Sequence, residues 1–193
     1  KWHKVQQQDI SLMMVDLAKQ GKRVARLKGG DPYIFGRGAE EAEVLVEHGV
    51  AYQVVPGITA AAGCSAYAGF PLTHREFSQS VSLVTGHQQA GGSKVDYARL
   101  ARCGDTMVFY MGIKNAPQIQ QGLLSNGVSP DLPVAIIEKG TTANQKTTIC
   151  KLSDFVEVIA NNKISPPALI IAGEVIKVRE RLKMTTAEVL KAS

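Results

Sequence analysis

Four short loops carry the residue types that could do chemistry: Gly29-Gly30-Asp31-Pro32, Pro56-Gly57-Ile58-Thr59, Met111-Gly112 and Lys139-Gly140-Thr141. Each follows a run that reads as a β-strand, and open α/β sheets bind ligands beyond the carboxyl ends of their strands. Glycine suits such places because it permits positive φ and lets a ligand approach the backbone with no Cβ in the way. Asp31 could accept hydrogen bonds from a ribose or an amino group, and Pro32 would stiffen the exit from the turn. Any one of these loops is equally an ordinary turn. Four at matching strand ends point to a binding edge.

Other chemistries find no support. Gly36-Arg37-Gly38 begins like a dinucleotide fingerprint, but Glu41 stands where the third glycine belongs. Gly86 to Ser93 mimics a phosphate-binding loop, yet Gly92 replaces its lysine. The histidines His3, His48, His74 and His87 are scattered, with no helical pairing that would hold a metal. Gly63-Cys64-Ser65-Ala66-Tyr67 lacks the second glycine of a nucleophile elbow. Cys64, Cys103 and Cys150 are odd in number and far apart, so they read as buried free thiols rather than as disulfides or zinc ligands.

The elements that must position these loops alternate. Ile10, Met13, Met14 and Leu17 set a helix over 6–20, stopped by Gly21. A strand is expected at Val24–Leu27, a helix at Ala39–His48, a strand at Tyr52–Val55, and a small-residue helix over 59–68. That rhythm belongs to a parallel sheet with crossover helices. Gly69 to Arg75 reads as a linker. Beyond it, strands are expected at Val81–Val84, Met107–Tyr110, Val134–Glu138 and Ala168–Ala172, with an edge strand at Lys146–Lys151. Helices are expected at Pro117–Asn126 and, capped by Ser153, at Asp154–Asn161. The expectation is two α/β lobes, 1–75 and 80–185, followed by a tail over 186–193.

In the 193-residue chain, 45% apolar and 20% charged residues are the balance of a globular protein. Lys and Arg number 22 against 17 Asp and Glu, a net charge of +5 that suits any polyanion. Part of it, Lys177, Arg179, Arg181 and Lys183, reads as the solvated face of a last helix. No apolar run approaches the ~20 residues of a membrane span. Lys1-Trp2-His3-Lys4 opens no signal peptide, so cytoplasmic residence is expected.

Several strings together resemble one family. Arg26 to Gly38 (RLKGGDPYIFGRG), Val54 to Ala62 (VVPGITAAA), Ala66 to Arg75 (AYAGFPLTHR), Thr85-Gly86-His87, Val108 to Gly112 (VFYMG) and Pro167 to Val175 (PALIIAGEV) are similar, in order and spacing, to the uroporphyrinogen-III C-methyltransferases among the tetrapyrrole methylases. The resemblance implies a two-lobed α/β fold, with a parallel-sheet N-terminal lobe that is incomplete here and a mixed-sheet C-terminal lobe. It implies a homodimer and a cofactor, S-adenosylmethionine, held in the cleft between lobes. Gly29, Gly30, Asp31, Ile34, Thr59, Ala60, Met111 and Gly140 would line that cofactor site. No metal is implied.

The implied reaction moves two methyl groups to carbons 2 and 7 of uroporphyrinogen III, giving precorrin-2, which sirohaem and cobalamin synthesis share. The substrate bears eight carboxylates, for which Arg26, Arg37, His74 and Arg75 are candidate partners, each arginine having an ordinary salt bridge as its other reading. Members of the family begin with a strand carrying a Gly-Pro-Gly loop, then an acidic catalytic residue and a lysine. These would lie ahead of Lys1, so no catalytic residue is assigned and weak or no activity is expected of these residues alone. Alternatives are another precorrin methylase, an inactive fragment, or a basic module binding nucleic acid. The last lacks an aromatic stacking platform and a nucleic-acid motif, so neither nucleic acid nor membrane is expected as a partner.

Overall fold

Three continuous apolar runs become the interior of a sheet in the computed structural model, which describes residues 5–86, 95–103 and 105–182. Packing divides the chain into two compact units, residues 1–59 and 60–193.

In the second unit, β1 (Val81–Thr85), β2 (Thr106–Tyr110), β3 (Pro133–Glu138), β4 (Lys146–Lys151) and β5 (Ala168–Ala172) form one sheet in the order β1-β2-β5-β3-β4. β1 runs parallel to β2, and every other pairing is antiparallel. The expected mixed sheet is therefore present, with β4 at its edge.

Alternation along each strand divides the side chains between two cores. Met107 and Phe109 join Val134, Ile136 and Ile170 on one face, under α5 (Ala116–Leu124) and α6 (Phe155–Asn161), which add Ile119, Leu123 and Phe155. Val108 and Tyr110 join Ala135, Ile137 and Ile171 on the other, with Ala61, Cys64 and Ala68 of α3 (Ala60–Ala68). A sheet covered on both faces needs strands that are apolar throughout, which is why β2, β3 and β5 read as unbroken runs.

Several expectations need correcting here. Gly69 to Arg75 is no loose linker: Phe70 is 2% exposed in the second core, and His74 pairs with Ser78 as an isolated bridge. Ser153 does not cap α6. Asp154 holds the cap position, and the Ser153 hydroxyl donates to the Asp154 carboxylate at 2.6 Å. Cys103 is exposed rather than buried. A helix missing from the sequence reading, α4 (Tyr97–Cys103), starts where Asp96 accepts the Arg99 amide at 2.9 Å.

The first unit holds α1 (Gln7–Lys19) and α2 (Gly38–Glu47) close to their expected bounds. The buried face of α1 is Ser11, Met14 and Val15, one step round from the expected stripe, and Met13 is 55% exposed. The strands expected at Val24–Leu27 and Tyr52–Val55 are not formed among the described residues. Both segments instead line a cavity of about 760 Å³, together with Met14 and Ala18 of α1 and Ala42 and Leu45 of α2. A strand exists only where a neighbour lies within about 4.8 Å to share its hydrogen bonds. Neither segment supplies that neighbour to the other. Leu27 and Val55 are left 84% and 73% exposed.

Candidate functional site

Built from the chain upward, the first unit presents two loops fastened together by one carboxylate. Asp31 accepts the Tyr33 amide at 2.8 Å through Oδ1 and the Gly57 amide at 3.0 Å through Oδ2. The Gly57 amide first and the Tyr33 amide second hold its pKa below the usual carboxylate range. Gly57 is required because a Cβ there would overlap the Gly30 carbonyl oxygen, and Gly30 itself sits at φ 89°. So the loops Gly29–Asp31 and Pro56–Gly57, far apart in sequence, meet edge to edge. Gly29 and Gly30 remain exposed beside them, Ile34 is 36% exposed and Thr59 is half-buried.

The same unit holds a buried carboxylate that gathers charged partners. Glu41 is 4% exposed. Its Oε1 accepts Gln7 at 2.6 Å, Lys28 at 2.9 Å and Arg26 at 3.3 Å. Burial pushes the Glu41 pKa up, but the Lys28 ammonium, the Gln7 amide and the Arg26 guanidinium outweigh it, leaving the carboxyl below its ordinary value. Arg26 also donates to the Leu27 carbonyl at 2.8 Å. Arg37, at φ 58°, grips Glu40 at 2.6 Å in the open.

In the second unit, the ends of β2 and β3 carry backbone that side chains rarely adopt: Met111 at φ 54°, Lys139 at φ 47° and Thr141 at φ 62°. Such residues cost about 1–3 kcal/mol each and concentrate at ligand-binding positions. Met111 is 54% exposed. Gly140 packs so closely on Cys64 that a Cβ would overlap the sulfur. Tyr110 Oη accepts the Ala61 amide at 2.9 Å, fastening the start of α3, beside the exposed Ala60, to the end of β2.

Cys64 and Cys150 are not activated. Burial pushes the Cys64 thiol up, and burial with the nearby Asp154 charge pushes Cys150 up to about 11. His74 Nδ1 accepts the Glu76 amide at 3.2 Å. Its ring lies 5.3 Å from Phe77, over which Arg181 stacks at 4.9 Å while pairing with Glu76. Arg179 donates to the Ala68 carbonyl at 2.7 Å, so two members of the basic run serve packing. Arg75 is exposed, with no partner among the described residues. His3, His87 and Lys183, and most of the loop from Gly86 to Ser93, lie outside the described residues. Among the described residues no His, Cys, Asp and Glu side chains cluster as a metal site, and no helix is long and apolar enough to cross a membrane.

The residue that sequence reasoning passed over is Glu41, noticed only as a mismatch in a glycine motif. A signal was available: Gly38, Glu41 and Ala42 share one helical face, so a charge on the apolar side of α2 demanded a partner.

Comparison with known proteins defines the class. Residues 3–156 match the model for Tetrapyrrole (Corrin/Porphyrin) Methylases, and the chain belongs to that family. Among curated relatives, the siroheme synthase of Hydrogenovibrio crunogenus is 70% identical over 183 residues, 95% of this chain and 39% of the relative. That of Pseudomonas fluorescens is 51% identical over 181 residues, 94% of this chain and 39% of the relative. The chain thus spans about two fifths of the length of these relatives. Among solved structures, uroporphyrin III C-methyl transferase from Thermus thermophilus is 36% identical with a TM-score of 0.78, over 89% of this chain and 72% of its own. The same enzyme complexed with S-adenyl homocysteine gives 36% and 0.75, over 89% and 75%. A cobalt precorrin-4 methyltransferase shares the fold at 24% identity, TM-score 0.82, over 90% and 73%.

Proposed function

We propose that this chain forms part of a uroporphyrinogen-III C-methyltransferase, which transfers two methyl groups from S-adenosylmethionine to carbons 2 and 7 of uroporphyrinogen III to give precorrin-2. The observation that carries the reading is the Asp31 clasp, which holds two glycine loops together with their backbone exposed. It stands in a chain 36% identical to an enzyme solved with S-adenyl homocysteine.

The residues fit the cofactor. An ionised carboxylate has about four acceptor positions, and Asp31 commits two to the Tyr33 and Gly57 amides with the Ile34 amide also acting on it, leaving capacity for a ribose hydroxyl or an amino group. Gly29, Gly30, Thr59 and Ala60 offer backbone, while Ile34 and Met111 offer partly exposed apolar surface. Within the second unit, Gly140 is seated on Cys64, and its place in the cofactor set comes from the family resemblance. S-adenosylmethionine supplies a methyl group already activated by its sulfonium. What remains for the protein is alignment with a pyrrole carbon and removal of a proton. No residue of this chain is assigned to that proton transfer.

The substrate's carboxylates call for cations. Arg75 is the candidate most free to meet them, whereas Arg26 and Arg37 already hold Glu41 and Glu40. His74 has one ring nitrogen engaged by the Glu76 amide. The 70% identity to a siroheme synthase favours the sirohaem branch. A cytoplasmic homodimer, with functional lobes at 1–75 and 80–185, belongs to the same proposal.

The test is a chimera in which this chain replaces the matching segment of the Hydrogenovibrio crunogenus siroheme synthase. With uroporphyrinogen III and S-adenosylmethionine, a dimethylated product is expected. A chimera that folds and binds S-adenosylhomocysteine but methylates only a later corrinoid would overturn the substrate. One that folds and binds no S-adenosylhomocysteine would overturn the reading altogether.

A further inference from the structure

Segment 23–28 forms no sheet ladder among the described residues, yet it ends in the loop where the two glycines must be presented in one shape. Gly29 and Gly30 carry no side chain and are the freest backbone in the segment. Each end of this pair is anchored by a side chain. At the far end, Asp31 clasps the Gly57 amide. At the near end, Lys28 donates to the buried Glu41 at 2.9 Å.

Arg26 and Lys28 are two apart, so an extended chain sends both side chains the same way, and both reach Glu41 Oε1. Leu27, between them, points out and is 84% exposed. Gln7, in the first turn of α1, donates to the same oxygen at 2.6 Å. Stability alone is a poor reason for this arrangement, because an apolar residue often replaces a buried ion pair without loss. A charge-assisted clamp does something that packing does not: it fixes direction and register.

We propose that Glu41 is a positioning residue for the Gly29–Asp31 loop, acting through Lys28 and Arg26 to hold the glycine pair in its ligand-ready shape. The assignment rests on the reading of that loop as the S-adenosylmethionine wall. It gives Arg26 a role in the protein's own framework, alongside or in place of the substrate's carboxylates. Preorganisation of this kind appears in affinity, because a loop ordered only on binding costs entropy at that moment.

The experiment compares the full chain with Glu41→Gln, Lys28→Met and Lys28→Arg. It follows the amide resonances of Gly29, Gly30 and Gly57, S-adenosylhomocysteine affinity by calorimetry, and thermal midpoint. Glu41→Gln and Lys28→Met are expected to shift or broaden the Gly29 and Gly30 amides and to weaken binding about tenfold. Lys28→Arg, which keeps a donor for Glu41, should restore both. A lowered midpoint with unmoved glycine amides and unchanged affinity would reduce Glu41 to a stability residue and overturn the proposal. Should Glu41→Gln fail to fold, the Lys28 pair decides by the same readouts. If the unsubstituted chain binds no S-adenosylhomocysteine, the functional reading of the loop fails, while the glycine amides still report whether Glu41 positions it.

Discussion

Two regions of this chain carry similar local patterns and fold differently. Val108 to Tyr110 and Val24 to Leu27 are both short runs that lead into a loop containing glycine. The first lies in β2, hydrogen-bonded to β1 on one side and β5 on the other, with Val108 and Phe109 fully buried. The second pairs with no strand among the described residues and is held by side chains reaching Glu41. A strand is a relation between segments, whereas a loop can be pinned by a few polar contacts of its own.

The sharpest way to break this comparison is hydrogen exchange. Amides of β2, β3 and β5 are expected to be protected on the order of 10⁴-fold, and those of 24–27 and 52–55 less than about tenfold. Equal protection in both regions would refute the contrast. Next in size, Phe109→Ala should destabilise by about 3–5 kcal/mol in urea unfolding, the cost of truncating a fully buried aromatic. Leu27→Ala, at a position 84% exposed, should stay within about 0.5 kcal/mol.

Between these two, Gly140→Ala forces a methyl group against the Cys64 sulfur and should cost about 1–3 kcal/mol. Cys64→Ala in the same chain should recover most of that loss. No recovery in the double variant would mean that the clash is not with Cys64.

The finest effect is electrostatic and belongs to the first unit. Asp31 and Glu41 both have lowered pKa values, so the native state prefers their charged forms. Their stabilising contribution is complete above the ordinary carboxylate range and is lost as pH falls through the lowered values. Carboxyl chemical shifts followed from neutral to acid pH should show both titrating late. The Gly57 amide resonance should move together with Asp31. A Gly57 amide that moves before Asp31 titrates would break the clasp.

Much of this was legible beforehand, and particular residues show why. The β4 and β5 boundaries agree with the expectation because Lys146–Lys151 and Ala168–Ala172 are self-contained apolar or β-branched runs between turn signals. The loops at Gly29–Asp31 and Pro56–Gly57 were readable as glycine turns. Their union was not, since it depends on Asp31 finding an amide 26 residues away. Ser153 misled because a capping residue type was adjacent to the true cap, Asp154. Phe70 stands in a stretch whose glycine and proline mark a connection, and only its depth in the second core shows otherwise.

By itself, then, the sequence determined the bounds of many elements and the four glycine loops, because these follow from residue type and local periodicity, while its longer strings carried the family resemblance. Tertiary structure alone decided which runs became strands, which carboxylate fastened which loop, and that Glu41 gathers three donors at one oxygen. Pairing, burial and charge neutralisation are properties of groups brought together from distant points, and no local pattern encodes the meeting.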